Sequence, residues 1–194
     1  MFFVFITWYI SRYMDQRRLL DRIMGVSNRW VFAVSAFLFI ITIAIIPSLQ
    51  GTMIEDGGAE SPDLSFYYST DDLYRMAESY GAEGRSEYIR MRFTFDLVFP
   101  LIYGGFLFSG IGWLFNPESQ ELRKWKINRL PLFGVLFDYL ENIATSVVMW
   151  RYPERTPILD TAATLFTPVK WILISICFVL ILVGLIRLLF KSLR

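Results

Sequence analysis

Asp138, Glu141, Asn142 and Thr145 stand at i, i+3, i+4 and i+7 within an otherwise apolar stretch. On a helix that spacing places all four side chains on one face, and Gly134 one turn earlier continues it. A carboxyl held neutral beside one held ionised is the arrangement that acid–base chemistry or proton coupling needs. The same acids with an amide oxygen offer the hard donors that Mg²⁺ or Ca²⁺ takes, but the ligand count is short. No metal site and no cofactor is therefore expected.

A second stripe matches the first. Asp96, Pro100, Tyr103 and Gly104 follow i, i+4, i+7 and i+8, and Gly105, Ser109 and Gly112 add small residues that let helices approach closely. Lys170, just after Thr167-Pro168, supplies a cation. The expected polar pocket is built from Asp96, Tyr103, Asp138, Glu141, Asn142, Thr145, Thr167 and Lys170. No catalytic role is assigned to any of them.

The rest of the composition removes many chemistries. The chain has no histidine, so imidazole bases, His-ligated metals and the common triads are absent. Its one cysteine, Cys177, lies in an apolar run and builds no disulfide framework. A net charge of +1 gives no bulk attraction for nucleic acid. Phosphate-cradling glycine loops, Cys/His metal patterns and nucleophile elbows do not occur.

The elements that must position these residues are membrane spans. Of the 194 residues 55% are apolar and 18% aromatic, with a mean hydropathy of +0.44. The apolar residues gather in blocks at about 30–49, 93–115, 130–150 and 168–190. A helix of ~20 apolar residues crosses the ~30 Å hydrocarbon layer, and lipid offers no partner for unpaired backbone amides. The expected fold is an all-α integral membrane four-helix bundle, multi-pass in the cell membrane. Tryptophans 8, 30, 113, 125, 150 and 171 fall mostly near block ends, as interfacial anchors do.

Charge sets the expected orientation. Twelve Lys/Arg flank one side, at positions 12, 17, 18, 22, 29, 123, 124, 126, 129, 187, 191 and 194, against six at 75, 85, 90, 92, 151 and 155. The positive-inside rule then puts both termini in the cytoplasm. The 123–129 run is read as part of this topology signal. Residues 1–28 are expected to lie on the membrane as an interfacial segment, with Leu19, Leu20, Ile23 and Met24 facing lipid. Between the first two spans, 50–92 forms an acidic extracellular segment. It begins as a Gly-, Ser- and Pro-bearing linker. A helix capped by Ser69 or Thr70 follows, with Asp71 and Asp72 in its first turn. Gly81 should break it, and a second helix then leads into the second span, making a helical hairpin.

Depth governs which groups meet. Tyr103 lies about 10 Å deeper than Asp96, and Glu141 roughly 13 Å below the outer surface. An N-cap at Thr167 with Pro168 at the first helical position leaves Lys170 shallow, level with Asp96. Helix continuing upstream through 159–166 would carry Lys170 deeper, within reach of Glu141. Leaving Asp and Glu towards lipid costs about 2.5–3.5 kcal/mol each, so their face should turn into the bundle. The plainer alternative is that the polar groups only join helices, for ~1 kcal/mol or less per contact.

Four phrases, YGAEGRSEY (80–88), DLVFPLIYG (96–104), FDYLENI (137–143) and TPVKW (167–171), resemble a group of uncharacterised small prokaryotic four-transmembrane-helix membrane proteins. The resemblance covers about residues 66–190 and implies the four-span fold without an activity.

Three functions are compatible with these residues. The first is binding or transport of a small polar molecule, ion or proton in the pocket. No internal repeat supports a pathway within one chain, so a homo-oligomer is expected there. The second is an intramembrane enzyme acting on a lipid or isoprenoid, with Glu141 or Asp138 as acid/base and Lys170 as electrostatic partner. The third is a non-catalytic assembly subunit working through the extracellular hairpin. The expected partners are membrane lipid, a small polar ligand and a second copy of the chain.

Overall fold

The computed structural model of the protein describes residues 29–54, 61–62, 65–115 and 127–193. The expected interfacial segment 1–28 and the basic residues Arg123, Lys124 and Lys126 lie outside them. The described elements, in chain order, are α1 (Arg29–Ile54), α2 (Thr70–Ser79), α3 (Gly81–Arg92), α4 (Phe95–Phe115), a 3₁₀ turn (Ile127–Arg129), α5 (Leu130–Arg151) and α6 (Pro157–Ser192). Among the described residues there is no strand.

Three helical stretches, Gly81–Phe115, Ile127–Arg151 and Pro157–Ser192, are long and apolar enough to cross a membrane, and Arg29–Ile45 forms a shorter apolar helix. The distribution of side chains is inverted relative to a soluble protein. Leu101, Leu165, Leu182 and Leu189 stand more than half exposed, while Asp138, Glu141, Asn142 and Lys170 are buried. In water an apolar surface of this extent would be a liability. In lipid it is the favoured exterior, and the all-helical architecture is compatible with a membrane bundle.

The last helix starts earlier than expected. α6 begins at Pro157, which takes the position where a missing amide costs nothing, and Pro168 lies inside the helix. Thr167 is therefore not an N-cap; its hydroxyl bonds the Ala163 carbonyl one turn back (3.0 Å). Pro168 withholds an amide from the Thr164 carbonyl but does not end the helix, which continues to Ser192. The result places Lys170 about 20 Å from the start of α6 rather than in its first turn.

α5 and α6 form the main helix pair, with α4 against both and α1 against α4. Gly104 permits the α4–α5 approach, since a Cβ there would lie 2.5 Å from Val135 Cγ2. Gly110 does the same for α1, where a Cβ would meet the Phe32 ring at 2.8 Å. α1 is further held by stacking of Phe39 on Phe106 (centroids 4.8 Å) and by the Ser35–Ser109 hydroxyl contact at 2.8 Å. Gly105 has no atom near its missing side chain, so the close contacts fall to Gly104 and Gly110 instead.

α2 and α3 cap one end of the bundle, packed on α5 and α6 through Leu73, Tyr74, Met76, Ala77 and Tyr88. Gly81 separates them at φ +62°, a left-handed conformation that glycine adopts without penalty. α2 opens with a capping box. The Ser69 hydroxyl accepts from the Asp72 amide (3.2 Å), and the Asp72 carboxylate accepts from the Ser69 amide (2.8 Å) and hydroxyl (2.6 Å).

These bonds from Ser69, with Arg75 alongside, hold the Asp72 carboxyl below its ordinary range. A lowered folded-state pKa contributes stability that is present at neutral pH and is lost as pH falls through that value. Acidification is thus expected to release α2 before the spans, and Ser69→Ala to produce the same opening at neutral pH. Hydrogen exchange of the α2 amides reads both; unchanged protection in Ser69→Ala would rule the cap out as their anchor.

Candidate functional site

At mid-bundle, α5 presents the Asp138–Glu141 face to α6 and α4. Glu141, Thr145 and Thr167 are fully shielded, and Lys170 is 4% exposed. The Lys170 ammonium pairs with Glu141 and stands 3.7 Å from Asp138 Oδ1, so one cation serves both acids. It also lies 5.5 Å from the centre of the Trp171 ring, within cation–π range. The continuous helix from Pro157 is what brings Lys170 to this depth.

Each acid has its own hydroxyl partner. Tyr103, one helix away on α4, donates to Asp138 Oδ2 at 2.7 Å. The Thr167 hydroxyl shares its one proton between Glu141 Oε1 and the Ala163 carbonyl, and the Tyr68 hydroxyl lies 3.5 Å from the same carboxylate oxygen and 3.0 Å from Thr167 Oγ1. The Asn142 amide reaches Asp138 Oδ1 at 3.4 Å. Thr145 bonds back to the Glu141 carbonyl (2.9 Å) and accepts from Tyr88 on α3 (3.1 Å). Tyr103, Asp138, Glu141, Asn142, Thr145, Thr167 and Lys170 are therefore joined in one network of hydrogen bonds and ion pairs.

Asp96 pairs with Arg92 one turn before it, at 2.7 Å, with both side chains nearly buried. The Arg92 guanidinium covers the Tyr88 ring at 4.5 Å. Through Tyr88 and Thr145 this pair adjoins the central network. No family model, curated protein or solved structure matches the chain. Its function must accordingly be argued from these atoms.

Several participants do not stand out in the sequence. Arg92 reads there as a topology charge, although its i, i+4 spacing to Asp96 is a legible pairing signal. Tyr68 sits in the stretch read as linker, and nothing local marks it as reaching Glu141. Asp160, 3% exposed, continues the polar stripe of α6 towards the α2–α3 cap as Asp160, Thr164 and Thr167. That i, i+4, i+7 pattern becomes visible only once the helix is extended to Pro157.

Chemically, the site holds a carboxyl pair, an ammonium and a phenol in apolar surroundings. Among the described residues no group of three or more acids or thiols gathers to hold a metal. The acids sit where a proton could pass between hydroxyl and carboxyl partners over hydrogen-bond distances, and where the lysine can be exchanged between two anions.

Proposed function

We propose that this is a four-span cell-membrane protein that binds a proton or small cation at the Asp138–Glu141 pair and passes it through the bundle. The observation that carries the reading is the single Lys170 ammonium shared by two carboxyls in the buried interior. An internal cation between two anions marks a site suited to positive charge. When the lysine favours one acid, the other becomes the place for a proton or for a competing cation. Ionisable groups inside a membrane bundle are expensive to place there, and a working role compensates that cost.

α1 supports the fourth crossing: its apolar part, Arg29–Ile45, reaches about 25 Å as a helix, and the helix continues to Ile54. The twelve-to-six bias of Lys/Arg supports cytoplasmic termini. Transport without an internal repeat favours assembly of two or more copies around the path.

In proteoliposomes with an imposed potential, the wild-type chain is expected to admit protons above the lipid leak. Glu141→Gln, which keeps the shape and a hydrogen-bonding oxygen, is expected to fall to that leak while remaining folded and monodisperse. Equal uptake in the variant would remove Glu141 from any such role.

A further inference from the structure

Two buried polar groups on α5 take no part in the network. Asn142 Oδ1 and Ser146 Oγ have no hydrogen-bond partner, although each residue is only 4% exposed. The Asn142 amide nitrogen is engaged with Asp138, which leaves its carbonyl oxygen to other donors. A serine inside a helix ordinarily bonds back to the preceding turn. Thr145 does so, whereas Ser146 does not. A buried oxygen left unbonded is destabilising, and in folded proteins such atoms are the usual binding places of internal water.

Their spacing suits that occupant. Asp138, Asn142 and Ser146 lie at i, i+4 and i+8, one above another on a single helix face. The Asn142 amide reaches Asp138 Oδ1 directly at 3.4 Å, and the Asn142–Ser146 step is ~6 Å between Cβ atoms, a spacing that one water making two hydrogen bonds of about 2.8–3.0 Å covers. The contacts Tyr88–Thr145 and Tyr103–Asp138 fix the register of α3 and α4 against α5, so Arg92 and Asp96 fall at the intervening levels. One turn beyond Ser146 comes Trp150, 77% exposed near the C-terminal end of α5.

We propose that Asn142 and Ser146 bind a short file of water that connects Asp138 to the outer surface. This rests on the proton reading of the same site and adds the side from which it is reached. Asn142 holds water by accepting a hydrogen bond and does not itself carry the proton. A proton arrives on Asp138 as one water O–H breaks and the carboxyl O–H forms, and the next water replaces the proton given up. No electrons are transferred.

The test uses the full chain in lipid nanodiscs and a thiol as a probe of water. Ser146→Cys adds a second S–H stretching band to that of Cys177, which is fully buried and serves as the reference within the same molecule. On transfer to D₂O the thiol introduced by Ser146→Cys is expected to exchange within the mixing time, with the Cys177 band persisting. Exchange no faster than that of Cys177 overturns the proposal.

In proteoliposomes, Ser146→Val is expected to slow externally driven proton uptake, with Ser146→Thr restoring it. A wild-type rate in Ser146→Val also overturns the proposal. Rapid thiol exchange in a wild-type background that moves no protons would uphold the water file and retire the transport reading, so the two fail separately.

Discussion

Lys170→Met is expected to be the most damaging single substitution in the bundle, costing about 3–5 kcal/mol. Methionine fits the space of the lysine stem, so packing is nearly conserved while the ammonium is lost. What remains is Glu141, wholly shielded, and Asp138, 9% exposed, facing each other across the position the cation held. Hydroxyls from Tyr103 and Thr167 stay in place, but a neutral donor offsets only part of a buried charge. Titration of the folded fraction with a denaturing detergent measures the loss. A change below about 1 kcal/mol, the value of an exposed ion pair, would mean the lysine does not balance these acids.

The companion experiment removes the whole charged group together. Asp138→Asn, Glu141→Leu and Lys170→Met in one chain leave no ion uncompensated, and the amide that Asp138→Asn introduces keeps an oxygen for the Tyr103 hydroxyl. Replacing a buried ionic cluster by groups of similar volume is commonly neutral or stabilising by ~1–4 kcal/mol. The triple variant is therefore expected to match or exceed the wild type in the detergent titration while proton uptake falls to the lipid leak. If uptake persists, these three residues are not the path. If stability collapses, the charges are part of what joins α5 to α6.

The two results separate helix joining from function only when stability and uptake are read together. A buried charge cluster is expensive when broken singly and tolerable when removed entire, whether or not it has a working role. Loss of proton uptake in a triple variant that stays folded is what assigns these charges such a role.

Much of this arrangement is legible in the order of residues. The one-sided spacing of Asp138, Glu141, Asn142 and Thr145 requires a polar face, and the lipid around it requires that face to turn inward. The blocks at 93–115 and 130–150 match α4 and α5 closely, because a span is announced by its own length and hydropathy. The break at Gly81 and the cap at Ser69 are also local events, decided by residues within one turn.

The start of α6 is not legible in the same way. Thr156-Pro157 and Thr167-Pro168 are the same dipeptide, and each is a sound helix opening. Contacts from α5 and α2 select the first, by burying Asp160, Ala163 and Thr164. The depth of Lys170 follows from that choice alone.

By itself, then, the chain's order of residues determines that it is helical, that it carries membrane-spanning lengths and that one helix bears an acidic face. These properties arise from periodicity and transfer energy, which act within a single segment. Only the tertiary structure decides that Lys170 serves both acids, that Asp96 belongs to Arg92, and that Tyr68 and Tyr88 reach the network from the capping segment. Pairing between segments depends on register and rotation, and a displacement of one helical turn, ~5.4 Å, is enough to exchange one partner for another.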